Sequence, residues 1–295
     1  MLGILNVYNH IGGKSVPVEI MAAVLFGALL HAVWNALVRA ASDKFLNTVL
    51  VVGGAGVWTA CWLPFAPAPA VESWPYLTAS VLIHVVYFSF VALSYRNADL
   101  SFVYPIMRGS APALSAVVVA VLVHESPSPT GWMGVLLVSL GIIVLSGDSW
   151  RSGSLRFSPT ALALTNAGVI VVYTIVDGVG ARLSQHPVSY TGWMFFLTAI
   201  PLLVMSFAKR GEEATKHLRF NWGKGLIGGA CTLGSYGLAL WAMTQAPIAL
   251  VAALRETSVI FGTLIAAVFL KEHVSPLRYL SILAVTVGAI AIKIS

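Results

Sequence analysis

The sequence predicts an all-α membrane protein of ten transmembrane helices, arranged as two inverted five-helix repeats. Three observations predict it. Hydrophobic residues make up 58% of the chain and charged residues 9%, where ordinary soluble domains hold roughly 45–50% and about 25%. Ten apolar runs approach the ~20 residues needed to cross a hydrocarbon core about 30 Å thick. The stretch Arg108 to Val144 recurs 147 residues later as Arg255 to Ala291, placing Arg108 on Arg255, Glu125 on Glu272, Pro129 on Pro276 and Gly141 on Gly288. Charged residues matched inside apolar runs mark a duplication rather than a coincidence of composition.

The first unit covers residues 18–147, with spans expected at 18–38, 45–65, 74–94, 99–123 and 129–147. The run Phe65-Ala66-Pro67-Ala68-Pro69-Ala70 between its second and third spans reads as a stiff turn. Asp148 to Ser158 links the halves. The second unit, 159–293, holds spans at 159–181, 190–208, 223–244, 247–270 and 276–293, with Lys209 to Asn221 as a charged loop. Five crossings are an odd number, so the second unit enters from the opposite face. That is the plan of many secondary transporters, which bind substrate near the midplane between the repeats.

A net charge of +6 would suggest nucleic acid in a soluble protein. Here the cations fall in loops facing anionic headgroups, and no nucleic-acid partner is expected. Twelve Lys and Arg lie in odd-numbered loops and three in the termini and even-numbered loops, which places the odd loops in the cytoplasm and both termini outside. Cys61 and Cys231 read as packing thiols. No HExxH, GxSxG or P-loop occurs, so no metal, cofactor or catalytic role is expected.

Arg108 and Arg255 are the main site candidates. A charge deep in a bilayer costs at least ~2.5–3.5 kcal/mol on insertion scales, so it faces a cavity or a partner. Arg108 lies nine residues past Asp99, about 13 Å along a helix. In an inverted repeat, the two guanidinium groups flank one cavity and bind a carboxylate or phosphate with fork geometry. The other reading is a structural ion pair with a membrane carboxylate, for which Glu256 and Asp177 are available. Glu256 is on hand to reach Arg108 or to carry a coupling proton. Asp177 offers the same proton role, or a peripheral pair with Arg182. His84, Tyr87, Tyr104, Trp34, Asn35 and Tyr236 complete the expected aromatic and hydroxyl lining. Glu125 and Glu272 end their helices, with capping of the following helix as the plain role.

The segments Glu125-Ser126-Pro127-Ser128-Pro129…Gly141 and Lys271-Glu272-His273-Val274-Ser275-Pro276…Gly288, with Ala32-Val33-Trp34-Asn35-Ala36-Leu37, resemble the EamA-type branch of the drug/metabolite transporter superfamily. The resemblance spans about residues 18 to 293. It implies a carrier exporting small metabolites, with a cavity lined by the first, third, fourth, sixth, eighth and ninth helices, and with cytoplasmic termini, against the loop charges. Arg108 and Arg255 stand outside the general family pattern. The expected function is a secondary exporter of small anionic or zwitterionic metabolites such as amino acids, in the bacterial inner membrane, as a monomer or homodimer. The alternative is a non-transporting sensor or assembly factor on the same scaffold.

Overall fold

The computed structural model describes residues 16–97, 100–145, 157–269 and 275–295; the side chains of 89–97, 100–104, 157–159, 266 and 269 are not among them. The expected roles of Tyr104, Lys271, Glu272 and most of the 148–158 linker therefore lie outside the described residues. All regular structure among them is helical: α1 (Val18–Arg39), α2 (Lys44–Trp62), α3 (Trp74–Asn97), α4 (Leu100–Leu122), α5 (Pro129–Val144), α6 (Phe157–Leu183), α7 (Pro187–Met243), α8 (Ile248–Arg255), α9 (Ser258–Phe269) and α10 (Pro276–Lys293). Two short 3-10 turns, Leu63–Phe65 and Val71–Ser73, flank the Pro/Ala run. Seven stretches among the described residues are long and apolar enough to cross a membrane.

The helix starts follow from side-chain caps. Asp43 accepts the Leu46 amide at 2.8 Å to open α2, and Ser128 accepts that of Gly131 at 3.1 Å to open α5. Ser275 repeats the α5 arrangement on Arg278 at 3.4 Å, with Pro276 where α5 has Pro129. Proline suits the first helical turn because its missing N–H has no intrahelical partner there. α4 remains helical through Pro105 and Pro112.

Two sequence expectations are corrected. The charged segment 209–221 is helical on either side of Gly211, not an open loop, so α7 is two helices that meet there. Lys, Arg, Glu and Ala are good helix formers whatever their polarity, and Arg210–Glu213 (3.0 Å) and Lys216–Glu212 (3.2 Å) pair along the surface. The rod bends at Gly211, whose φ of 46° is open to glycine at little cost. The span expected at 247–270 is broken between Arg255 and Ser258, where i→i+3 bonds from the Glu256 and Thr257 amides tighten the chain. Nothing in Arg-Glu-Thr-Ser signals a break.

Packing inverts the pattern of a soluble protein. Leu82, Val121, Leu122, Val204, Ile227 and Leu283 are exposed, whereas His84, Arg108, Asp177 and Glu256 are buried. Lipid tails are as apolar as leucine, so helices associate through close backbone approach and polar contacts. A Cβ on Gly54 of α2 would stand 2.0 Å from the Gly225 carbonyl oxygen of α7. α5 and α10 cross at Gly134 and Gly288, where added Cβ atoms would meet the opposite carbonyl oxygens at 2.7 and 2.8 Å. Gly54→Ala is expected to destabilise the protein by about 1–3 kcal/mol through overpacking. Gly168→Ala, with nothing within 4 Å of its Cβ, should cost far less; unfolding of both variants in detergent checks the difference.

At the centre lies α8. Every residue from Ile248 to Leu254 is buried, and the helix touches α1, α4, α5, α6, α7 and α10. Its last residue is Arg255. The chain break therefore delivers Arg255 and Glu256 to the middle of the bundle.

Candidate functional site

Three polar clusters surround α8. At its C-terminal end, Arg108 of α4 reaches Glu256 at 2.8 Å, both side chains being 6–7% exposed. His31 of α1 places Nε2 3.4 Å from the same guanidinium. Its ring meets Trp34 edge-on at 5.2 Å. Of the two sequence readings of Arg108, the geometry realises the ion pair, across the interface with Glu256.

Arg255 is placed differently. Its guanidinium carbon lies 4.8 Å from the centre of the Tyr236 ring, and among the described residues no carboxylate is within ion-pairing distance. A cation over an aromatic face gains ~0.5–2 kcal/mol, more as water is excluded. The stack fixes the plane of the guanidinium against the Tyr236 ring. Both arginines thus reach the centre, Arg108 paired with Glu256 and Arg255 with no carboxylate partner among the described residues.

The second cluster is built on Asp177 of α6, which is 0% exposed. Tyr190 donates to Oδ1 at 3.3 Å, and Tyr236 donates to Oδ2. His84 Nε2 stands 4.0 Å from Oδ2. The rings of His84 and Tyr173 approach to 4.8 Å, and those of Tyr87 and Tyr173 to 5.5 Å. The rings of His84, Tyr87 and Tyr236 thus gather around Tyr173. The peripheral pair of Asp177 with Arg182 is not formed: the carboxylate turns inward, toward phenols 13 and 59 residues away. Tyr190 and Tyr173 escaped the sequence reading because no local spacing links them to Asp177.

Arg182 instead binds Glu125 through two N–H groups, the second at 3.3 Å. It also donates to the carbonyls of Met243 at 2.7 Å and Ala246 at 3.1 Å. Glu125 Oε2 accepts the Ile248 amide at 3.3 Å, capping α8. Capping was the expected task of Glu125, but the helix it caps is α8; Ser128 opens α5. A carboxylate at an N-terminus complements the helix dipole. Arg182→Ala is expected to destabilise the protein by about 3–5 kcal/mol, because it strands a buried carboxylate. Glu125→Gln with Arg182→Met should recover much of that, as melting of the purified proteins would record.

Asn35 is occupied within its own helix, its Nδ2 donating to the His31 carbonyl at 2.8 Å. Among the described residues, Trp34 Nε1, Asn166 Oδ1 and Glu256 Oε2 are buried with no hydrogen-bond partner. Asn166, which the sequence reading missed, gives its Nδ2 to the sulfur of Met107, next to Arg108. Buried polar atoms are nearly always paired, so orphans call for a cause. Among the described residues, no three His, Cys, Asp or Glu side chains are grouped to hold a metal ion.

An apolar-coated helical bundle with charge at its centre defines a polytopic membrane protein with a polar interior. Residues 159–294 match the model of the EamA-like transporter family. That stretch, just under half of the chain, is similar to EamA-like transporters. No curated protein matches the sequence. Solved structures do, among them a crystal structure at TM-score 0.69 and 18% identity, covering 92% of this chain and 97% of its own. At that identity the likeness is one of fold.

Proposed function

We propose that the chain is a secondary transporter exporting small anionic or zwitterionic organic metabolites, amino acids among them, across the bacterial inner membrane. The observation that carries this reading is Arg255: a guanidinium at the centre of a membrane bundle, oriented by Tyr236 and not paired with any carboxylate among the described residues. Such a group needs an anion, and a carrier's substrate supplies one. Arg108 flanks the same centre while bound to Glu256. The orphaned indole N–H of Trp34 and the free oxygens of Asn166 and Glu256 are suited to the further polar groups of a zwitterion. Tyr87, His84 and Tyr236 form the wall, and Tyr104 is assigned to it from sequence. Glu256 and Asp177 are the carboxylates available for proton coupling.

Alternating access follows from two inverted five-helix units. The ten spans of that plan are α1 to α6, the two limbs of α7, α8 with α9, and α10. The close crossing of α5 and α10 supports the inversion. Gly134 meets Gly288 there, and Gly141 meets Ser281, which is the same contact carried through the 147-residue repeat. The partners run antiparallel, as equivalent helices of an inverted pair must.

Purified protein in proteoliposomes loaded with a radiolabelled amino-acid mixture tests this reading. Saturable exchange of a labelled member, absent from empty vesicles, is expected. No exchange with amino acids or with organic anions, from protein that is folded and inserted, would overturn it.

A further inference from the structure

We propose that His84 and Asp177 together form the proton-binding site of this carrier, and that Tyr236 links that site to the substrate at Arg255. The inference rests on the transport reading above but assigns different atoms.

His84 Nδ1 lies 2.9 Å from the Ser80 carbonyl oxygen and 3.2 Å from its hydroxyl. A carbonyl only accepts, so Nδ1 carries the hydrogen of the neutral ring. Nε2 then presents a lone pair toward Asp177 Oδ2 across 4.0 Å. Two acceptors face each other in a buried place, and one proton satisfies both, on Nε2 as imidazolium or on Oδ2 as carboxylic acid. Glu256 lacks this vacancy for charge, because Arg108 at 2.8 Å already neutralises it. Other groups confront Asp177 from every packed element. They are Tyr190 and Tyr236 of α7 and Ser80 of α3, with Tyr173 on its own helix. Arg255 of α8 stands behind the Tyr236 ring.

Tyr236 serves both sites. Its hydroxyl donates to Asp177 and its face holds the Arg255 guanidinium. A proton on Oδ2 removes the acceptor of that phenol, which releases the ring and with it the platform under Arg255. Substrate on Arg255 fixes the ring and keeps Asp177 ionised. Proton and substrate therefore oppose each other through one side chain, as antiport requires. The proton enters from water on one face, binds Nε2 or Oδ2, and leaves to water on the other; no bond other than N–H or O–H is made or broken.

Infrared difference spectra of the purified full-length protein between mildly acid and mildly alkaline buffer test the site without a substrate. A protonated-carboxyl band is expected in the parent, in Glu256→Gln and in Arg255→Ala, and it should vanish in Asp177→Asn and shift in His84→Gln. A band that survives in Asp177→Asn, or vanishes in Glu256→Gln, overturns the assignment. Exchange of the labelled amino-acid mixture, with and without an imposed pH gradient, tests the link. Tyr236→Phe keeps the stacking face and loses the hydroxyl, so the ratio of gradient-driven accumulation to exchange, read on the same vesicles, should fall at least tenfold. A ratio unchanged in Tyr236→Phe, or accumulation driven equally well by a sodium gradient, overturns the link. Because the infrared band needs no substrate, its loss or survival is independent of whether Arg255 binds amino acids.

Discussion

Arg255→Ala is expected to abolish measurable transport while leaving the protein folded. Truncating one member of a buried charged contact costs about 2–5 kcal/mol of binding, and each 1.4 kcal/mol is tenfold. Affinity for the proposed amino-acid substrate should fall at least roughly 30-fold. Stability should change little, because the side chain leaves no buried carboxylate stranded and forfeits mainly a cation–π contact with Tyr236. Arg255→Lys restores the charge without the planar fork, so it should recover only part of the loss. Isothermal titration and melting of the same preparations read both quantities. Wild-type affinity in Arg255→Ala would remove the anchor from the proposed site.

Arg108→Ala is expected to give the opposite signature. It leaves the Glu256 carboxyl buried with no cation at 2.8 Å, and breaking such a pair costs about 3–5 kcal/mol. Replacing both partners by apolar residues of similar volume is often close to neutral. Arg108→Met with Glu256→Leu should therefore melt nearer the parent than Arg108→Ala does. A double variant no more stable than the single one would show that Arg108 holds the fold through other contacts. Comparing the two arginines separates a residue that binds from one that braces, although the duplicated sequence places them at equivalent positions.

Much of the helical layout is readable because lipid imposes a simple rule: long apolar runs, interrupted where chain must turn. The ends of α1, α2, α3 and α10 fall within a few residues of the apolar runs, helped by Pro/Ser turns. The rule fails where polarity and helix propensity disagree. Segment 209–221 is too charged to cross a bilayer, yet rich in helix formers, and it stays helical outside the apolar zone. The break after Arg255 is invisible because no Gly or Pro marks it; tertiary contacts of two buried charges accompany it.

In the site, the two arginines and Glu256 announce themselves as charges within apolar runs. Their partners do not. Asp177 has Arg182 five residues away, which invites a local pair, but Arg182 finds Glu125 and Asp177 finds Tyr190 and Tyr236. Those contacts join separate helices, and only three dimensions bring them together. The orphaned oxygen of Asn166 is equally silent in sequence.

α8 is pinned at both ends: Glu125 and Arg182 hold its entry, while Arg108 and Glu256 hold its exit. Eight residues measure about 12 Å, so the two ionic rivets sit about that far apart, on opposite sides of the rod's middle. A rod fastened this way does not swing freely; it pivots about whichever rivet is left closed. On the transport proposed above, the two open forms differ in which rivet has let go, and the barrier between them is set by the desolvated charge exposed at that moment. Salt in the bath barely touches charges so deep, so turnover should depend steeply on temperature and weakly on ionic strength.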